Sequence, residues 1–402
     1  MENPRIENRD IIMFGLQPWD IEMGSNFKDM AVEIARHNRV LYVNRPLDRI
    51  SYLKHRSDKK IKARILSFKK KEGVLQSIQD NLWVLNLPIL VESINWMPPG
   101  MLYNYFNKRN NNKIAGQIRE AKDQLNFKSV ILIIDNDFFN ALYLKEYLQV
   151  DLMLYYIRDY LLSQPYFKRH GVTSEPALIA KSDVVIANSL YLRNYAKKIN
   201  ANSFYIGQGC DVESFIKNSY PVPRDVAHVK RPVIGYCGNL TASRLDIALL
   251  ENIATQRPHW NFVLVGPQDN VFKNSVLNKM NNVIFTGSKP AAELPAYVHH
   301  FNVCLNPQQM NQMTIGNYPR KIDEYLAAGK PVVATATETM EEFKNHAYLC
   351  NNAQEYVIAI EKALREKDDT ILAQARVTFA LSHTWQASVQ KLYNTIYTPK
   401  SK

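Results

Sequence analysis

Apolar runs of strand length alternate along the chain with stretches whose apolar residues recur every three or four positions. Strands are predicted over 11–16, 40–43, 129–135, 152–157, 183–188 and 204–206, with an amphipathic helix over 27–37 following the first. The alternation pauses over 216–231, where Pro221, Pro223 and mixed charge leave no clear period. It then restarts with strands over 233–237, 262–265, 283–285, 303–306, 331–334 and 348–350. Helices fall between them near 247–255, 292–301, 321–328 and 356–365, and a last one runs from about 385 to 397. This is the signature of doubly wound α/β layers. Two Rossmann-like domains are expected, 1–215 and 232–382, joined by a linker at 216–231 and followed by a C-terminal helical segment, 383–402. No repeat of solenoid period is evident.

The most informative stretch is 317–335. It reads as a short helix ended by Gly329, then a tight turn into a buried strand. Arg320 and Lys321 fall at the helix start, where free backbone N–H groups and the helix dipole favour a phosphate. Glu324, one turn on, suits the hydroxyls of a ribose. An amphipathic helix with a solvated Lys/Arg/Glu face accounts for the same pattern.

Glu324-Tyr325-Leu326-Ala327-Ala328-Gly329-Lys330-Pro331-Val332-Val333 resembles the C-terminal half of the nucleotide-sugar motif of retaining GT-B glycosyltransferases, the family 4-like group, in the branch that includes teichuronic-acid-type enzymes. Gly207-Gln208-Gly209-Cys210-Asp211-Val212-Glu213-Ser214-Phe215 stands where that family carries a turn before its interdomain linker. Gly235-Tyr236-Cys237-Gly238-Asn239-Leu240 resembles the glycine-rich opening of its second domain. The resemblance implies two Rossmann-like domains facing a central cleft, with the C-terminal helix crossing back to the first. It also implies transfer of a sugar from a nucleotide diphosphate sugar, as co-substrate and without metal or cofactor, to a glycan or lipid-linked acceptor of a cell-surface polysaccharide, with retention. One position departs: Gly316 stands where the family often has a glutamate contacting the donor sugar, eight residues before the second glutamate.

Donor contacts are therefore expected from Gly238, Asn239, Arg244, Gly266, Ser288, Gly316, Asn317, Tyr318, Lys321 and Glu324. Arg244 resembles, in approximate position, the basic residue aimed at the donor diphosphate; a helix-start salt bridge is its alternative. The polar loop 307–317 suits sugar hydroxyls, or is an ordinary surface loop. In the first domain Gly24, Ser25 and Asn26 open a helix after the first strand and face a phosphate or acceptor, or simply cap the helix. Asp135 and Asp137 close a strand and form an acceptor rim. Arg158 and Asp159, expected as the catalytic pair, follow the strand 152–157; Asp159 would orient an acceptor hydroxyl and Arg158 touch a phosphate, and an ion pair at a strand end is the alternative.

No G-x-S-x-G elbow is present, His299 and His300 lack partners at metal spacing, and His383 reads as a helix-start or packing residue. The four cysteines, at 210, 237, 304 and 350, form no metal pattern, which points to a reduced cytoplasmic compartment. Lys+Arg 50 against Asp+Glu 38 gives a net +12, favouring anionic partners. Much of that excess lies in 54–71, where nine cations oppose only Asp58 and apolar residues are interleaved; this suits peripheral contact with an anionic lipid surface at the inner face of the cytoplasmic membrane, or is a solvated basic loop. No nucleic-acid module is recognised. Competing readings are a nucleotide-sugar 2-epimerase of the same architecture and a catalytically weak sugar-nucleotide-binding protein.

Overall fold

A computed structural model describes residues 6–20, 25–54, 65, 73–216, 220–366 and 369–397. The chain forms two compact units, one of 1–207 with 388–402, the other of 208–387. Each is built on one sheet.

The first sheet has eight strands in the order Ser203–Tyr205, Val184–Ala187, Leu152–Ile157, Val130–Asp135, Asp10–Gly15, Arg39–Asn44, Leu82–Asn86 and Leu75–Gln79. All pairings are parallel except the last, where Leu75–Gln79 runs antiparallel at the edge. The central strands are continuous apolar runs because helices cover both faces, so every position is buried. The long helix Met101–Gln124 packs Ile114, Ala115 and Ile118 into this core. It is missing from the pattern reading because three of its eight buried residues, Asn107, Asn110 and Asn111, are polar, and they blur the 3.6-residue period. Ser388 onward, in the helix Trp385–Tyr397, belongs to this unit: Tyr393 is buried, and its hydroxyl accepts a hydrogen bond from Asn38 at 3.1 Å.

The second sheet is wholly parallel, in the order Val283–Gly287, Asn261–Val265, Val233–Cys237, Val303–Asn306, Val332–Thr335 and Tyr348–Cys350. Counted along the chain this is 3-2-1-4-5-6, so the order reverses between Val233–Cys237 and Val303–Asn306. Ligands of open α/β sheets bind at such a reversal, beyond the carboxyl ends of the strands. The strands and helices predicted here match the observed ones to within a few residues, the usual scatter at element ends. The proline-bearing segment before this sheet packs on it: Val226 and Val229 are buried beside Phe215 and Tyr297, and the Asp225 carboxylate accepts from the Tyr297 hydroxyl and from Lys289. The sparse apolar residues of that segment are thus anchors in the core of the second unit.

Candidate functional site

In the second unit the site begins at the sheet reversal. Val233–Cys237 pairs with Val303–Asn306 only as far as Gly235 and Cys304, after which the strands part. Two loops meet at this opening. Gly238 and Gly266 both have φ +143, and a Cβ on Gly266 would lie 1.9 Å from the Gly238 carbonyl oxygen, so only glycine lets these backbones touch. The Gly238 amide donates to the Val265 carbonyl at 2.9 Å, fixing the contact.

Over this floor lies the helix Lys321–Ala327, closed by Gly329 at φ +69 as its sequence predicts. The Lys321 ammonium sits 4.8 Å from the centre of the Tyr236 ring, and its Cε lies 3.3 Å from where a Gly238 Cβ would be. Glu324, one turn on, accepts from the Arg320 guanidinium at 3.3 Å; burial pushes its carboxyl up, while Arg320 and Lys321 pull the other way. The helix start differs from expectation. The amides of Ile322, Asp323 and Glu324 turn back onto the carbonyls of Pro319 and Arg320, so these first-turn donors are spent and the cationic side chains carry the positive character.

Two residues missed in the sequence reading hold this helix in place. Tyr325 is fully buried, and its hydroxyl takes the Cys237 amide at 2.8 Å, the peptide next to Gly238 that lies past the last pair with Val303–Asn306. Asp323, also fully buried, accepts from the Tyr318 hydroxyl at 2.9 Å and from His383 Nδ1 at 2.8 Å, while His383 Nε2 lies 3.4 Å from Glu342. Burial works against a charged His383, but its hydrogen bonds to the two carboxylates outweigh this and raise it to about 9. The sequence signal for Tyr325 is its i+4 spacing from Lys321, which a face count alone reads as core.

The loop 307–317 is ordered by its own bonds. The Gln308 amide donates to the Thr314 carbonyl at 2.6 Å, and Asn311 receives the amides of Met313 and Thr314 while donating to the Ser243 carbonyl. These two side chains are committed to shaping the loop.

The first unit gathers its polar residues at the corresponding reversal, where Asp10–Gly15 lies between Val130–Asp135 and Arg39–Asn44. Asp135 is fully buried, with Arg158 Nε 2.5 Å from its Oδ1, and the same guanidinium lies 3.0 Å from Asp159. Burial raises the Asp135 carboxyl, and Arg158 opposes the shift. For Arg158, burial disfavours the charge, yet Asp135 and Asp159 overcome it and the guanidinium stays protonated. Asn136 locks the corner at φ 52: its Oδ1 accepts from the Arg158 amide at 2.7 Å and its Nδ2 donates to the Asp159 carbonyl at 2.9 Å. Asp135 Oδ2 and Asn26 Nδ2 have no hydrogen-bond partner among the described residues. Asn26 Oδ1 accepts from the Tyr156 hydroxyl, and Ser25 gives its hydroxyl to Gln17 rather than to the helix it precedes. Asp137 accepts the amides of Phe139 and Asn140 and faces Arg45 at 3.6 Å, so its oxygens organise the following turn.

Residues 231–366 match a family model described as glycosyl transferases group 1. Over this segment the chain is similar to the glycosyl transferases group 1 domain. The segment contains the whole second sheet, the Gly238 and Gly266 loops and the Lys321–Ala327 helix. A putative teichuronic acid biosynthesis glycosyltransferase, TuaH, of Bacillus subtilis (strain 168) is 27% identical over 249 residues, a match spanning 58% of this chain and 62% of that protein. Among solved structures, the sucrose-phosphate synthase of Thermosynechococcus elongatus superposes with a TM-score of 0.65 at 15% identity, over 97% of this chain and 99% of the other. HepE of Anabaena in complex with UDP gives 0.65 at 16% identity, over 97% and 100%. The fold is that of the GT-B glycosyltransferases, with α/β units on parallel sheets.

Within the segment that matches the family model, the structure brings Gly238, Gly266, Lys321 and Glu324 to one place. Tyr318 turns its hydroxyl into the core toward Asp323. Gly316 is buried, Asn317 holds the loop through its amide to Thr314, and Arg244 and Ser288 are exposed on their own loops. The Asn239 carbonyl accepts from Tyr236 at 3.4 Å. In the first unit Ser25, Asn26, Asp135, Arg158 and Asp159 surround one strand reversal; Gly24 lies outside the described residues, as does nearly all of 54–71. Among the described residues no cluster of His, Cys, Asp or Glu has the makings of a metal site, and no helix is long and apolar enough to cross a membrane. The four cysteines are free and buried.

Proposed function

We propose that the chain is a glycosyltransferase that takes a sugar from a nucleotide diphosphate sugar and passes it to a glycan or lipid-linked acceptor of a surface polysaccharide. One observation carries this reading: inside the segment that matches the family model, an ammonium stands over a glycine floor at the sheet reversal with a carboxylate one turn behind it. Lys321 would neutralise charge gathering on the leaving diphosphate, where a fixed cation in a dry site acts most strongly. Glu324 would accept the ribose hydroxyls, exchanging its bond to Arg320 for bonds to the nucleoside.

The solved relatives support the donor class. HepE was captured with UDP, with UDP and glucose, and with UDP-glucose. TuaH, by its name, supports a surface polysaccharide as the destination. Retention, the absence of a metal and cofactor from the reaction, and a cytoplasmic setting with peripheral lipid contact through 54–71 belong to the same proposal. Gly316 gives a second reading some weight: without a carboxylate at that position, the chain would bind sugar nucleotides and transfer slowly.

The test is calorimetric titration with UDP-, GDP-, ADP- and dTDP-glucose. One of them is expected to bind, and Lys321→Ala is expected to weaken it by about 1.5 to 3 kcal/mol, the loss of one charge-assisted contact. No binding by any of the four, or equal affinity in the variant, overturns the reading. Binding without any transfer to a polysaccharide primer favours the second one.

A further inference from the structure

The second unit gives the Lys321 ammonium surroundings unlike those of the charges beside it. Arg320 and Glu324, its neighbours along the helix, are paired with each other at 3.3 Å. Lys321 makes no ion pair among the described residues; its ammonium stands instead 4.8 Å from the centre of the Tyr236 ring.

That ring belongs to the opposite face of the sheet. Ile322, Tyr325 and Leu326 of the helix pack with Cys237 on one face, whereas Tyr236 enters the core of the other with Leu264 and Leu305. Lys321 reaches the ring by passing over the end of the strand Val233–Cys237, at Gly238. A Cβ there would come 2.9 Å from the Tyr236 hydroxyl oxygen and 3.3 Å from Lys321 Cε, so the bare glycine backbone leaves the lysine stem its crossing. Tyr236 is 2% exposed, and its burial fixes the ring. Lys321 is only partly buried, so the side chain held there remains reachable from solvent.

The kind of anchor decides what the cation can do. An aromatic face attracts an ammonium through its quadrupole and carries no net charge. A carboxylate in the same place would cancel the charge and would have to be displaced before a phosphate could bind. Arg320 removes the candidate one turn away by engaging Glu324. The ring therefore restricts where the ammonium stands and leaves its whole charge for an anion, which is what stabilising a leaving diphosphate requires.

We propose that Tyr236 is a positioning residue: its ring holds the Lys321 ammonium at the sheet reversal without neutralising it, so that a diphosphate meets a fixed, unpaired cation. The role of that cation rests on the donor reading given above; its placement is measurable separately. In the full chain labelled with ¹³C-lysine, the Lys321 Hε line, identified by its absence in Lys321→Arg, is expected to be shifted upfield by the ring and to return to the ordinary lysine position in Tyr236→Leu. The wild-type line needs no buried substitution, and an ordinary position there overturns the proposal.

Calorimetric titration with UDP-, GDP-, ADP- and dTDP-glucose reads the consequence. For whichever binds, Tyr236→Leu is expected to weaken affinity about fivefold through the lost cation–ring contact, while Tyr236→Phe, which keeps the ring, stays within about twofold of wild type. The decisive comparison is in the Lys321→Ala background, where Tyr236→Leu is expected to cost little more, because the ring has no cation left to place. An equal loss with and without Lys321 would show that the ring only supports the fold, and would overturn the proposal. If none of the four binds, the donor reading falls, and the Lys321 line by itself decides whether the ring holds the cation.

Discussion

Replacing Tyr325 with phenylalanine removes one oxygen from the second unit, and its consequence follows from the sheet. The strand Val233–Cys237 loses its Val303–Asn306 neighbour after Gly235 while it stays paired with Asn261–Val265 on the other side, so the amide of Cys237, facing the parted side, relies on the Tyr325 hydroxyl at 2.8 Å, and that hydroxyl also reaches the Cys237 carbonyl at 3.4 Å. Both residues are buried, so water does not replace the lost partner. A buried N–H left unpaired costs about 1 to 3 kcal/mol, and the ring's packing is preserved. Tyr325→Phe is therefore expected to lower the urea midpoint of the second unit by an amount equal to about 2 kcal/mol at unchanged m. Because Cys237 precedes Gly238, the glycine floor loosens with it, and under the proposed function nucleotide affinity is expected to fall as well. A change below about 0.5 kcal/mol, within the range of an ordinary surface substitution, would refute the argument by showing that the peptide finds another donor or acceptor.

Two expectations concern buried ionisable groups. His383 is raised from 6.5 to about 9, so its stabilisation is fully present below 6.5 and is lost as pH rises through 9; thermal melts across pH 6 to 10 are expected to show this decline, and His383→Ala to abolish it. That variant also strands the fully buried Asp323 without its cation, and is expected to lose about 3 to 5 kcal/mol in chemical denaturation. In the first unit, burial raises the Glu175 carboxyl to about 7 against the hydrogen bonds of Tyr155 and Tyr195. Its neutral form favours folding, so stability from this group is lost as pH climbs from about 4.5 to 7; Glu175→Gln is expected to flatten that decline, and an unchanged profile would show that the carboxyl titrates normally.

The layers were legible because parallel strands covered on both faces are written as short apolar runs, and runs such as 152–157 and 233–237 leave no other reading. Gly329 marked the end of the key helix for a reason equally local, a residue at φ +69. The strand order was not legible, since it depends on which runs pair across more than a hundred residues. Lys321 and Glu324 could be found because they are charged next to a turn. Tyr325 could not, since a buried tyrosine and a packing tyrosine look alike until the strand end it serves is known. Arg158 and Asp159 show the limit on the other side: adjacency predicted an ion pair, but Asp135, 23 residues upstream, takes the shorter contact and leaves Asp159 the more exposed carboxylate.

The helix Lys321–Ala327 has seven residues, too few to persist by its own hydrogen bonds. Its position is set from outside. Ile322 and Leu326 enter the core, Tyr325 binds the strand end, and Asp323 is held by Tyr318 and His383. Three of the four consecutive side chains from Ile322 to Tyr325 therefore face inward and fix the frame, which leaves Lys321 and Glu324 as the ionisable groups presented toward the sheet reversal. Mobility of an unsupported segment would spread a cation over several ångströms, and an electrostatic contact that must favour a developing charge depends on where that cation stands. In the proposed function a helix this short can hold the donor because neighbouring elements, the 3₁₀ turn with Glu342 and the chain at His383, keep it in place.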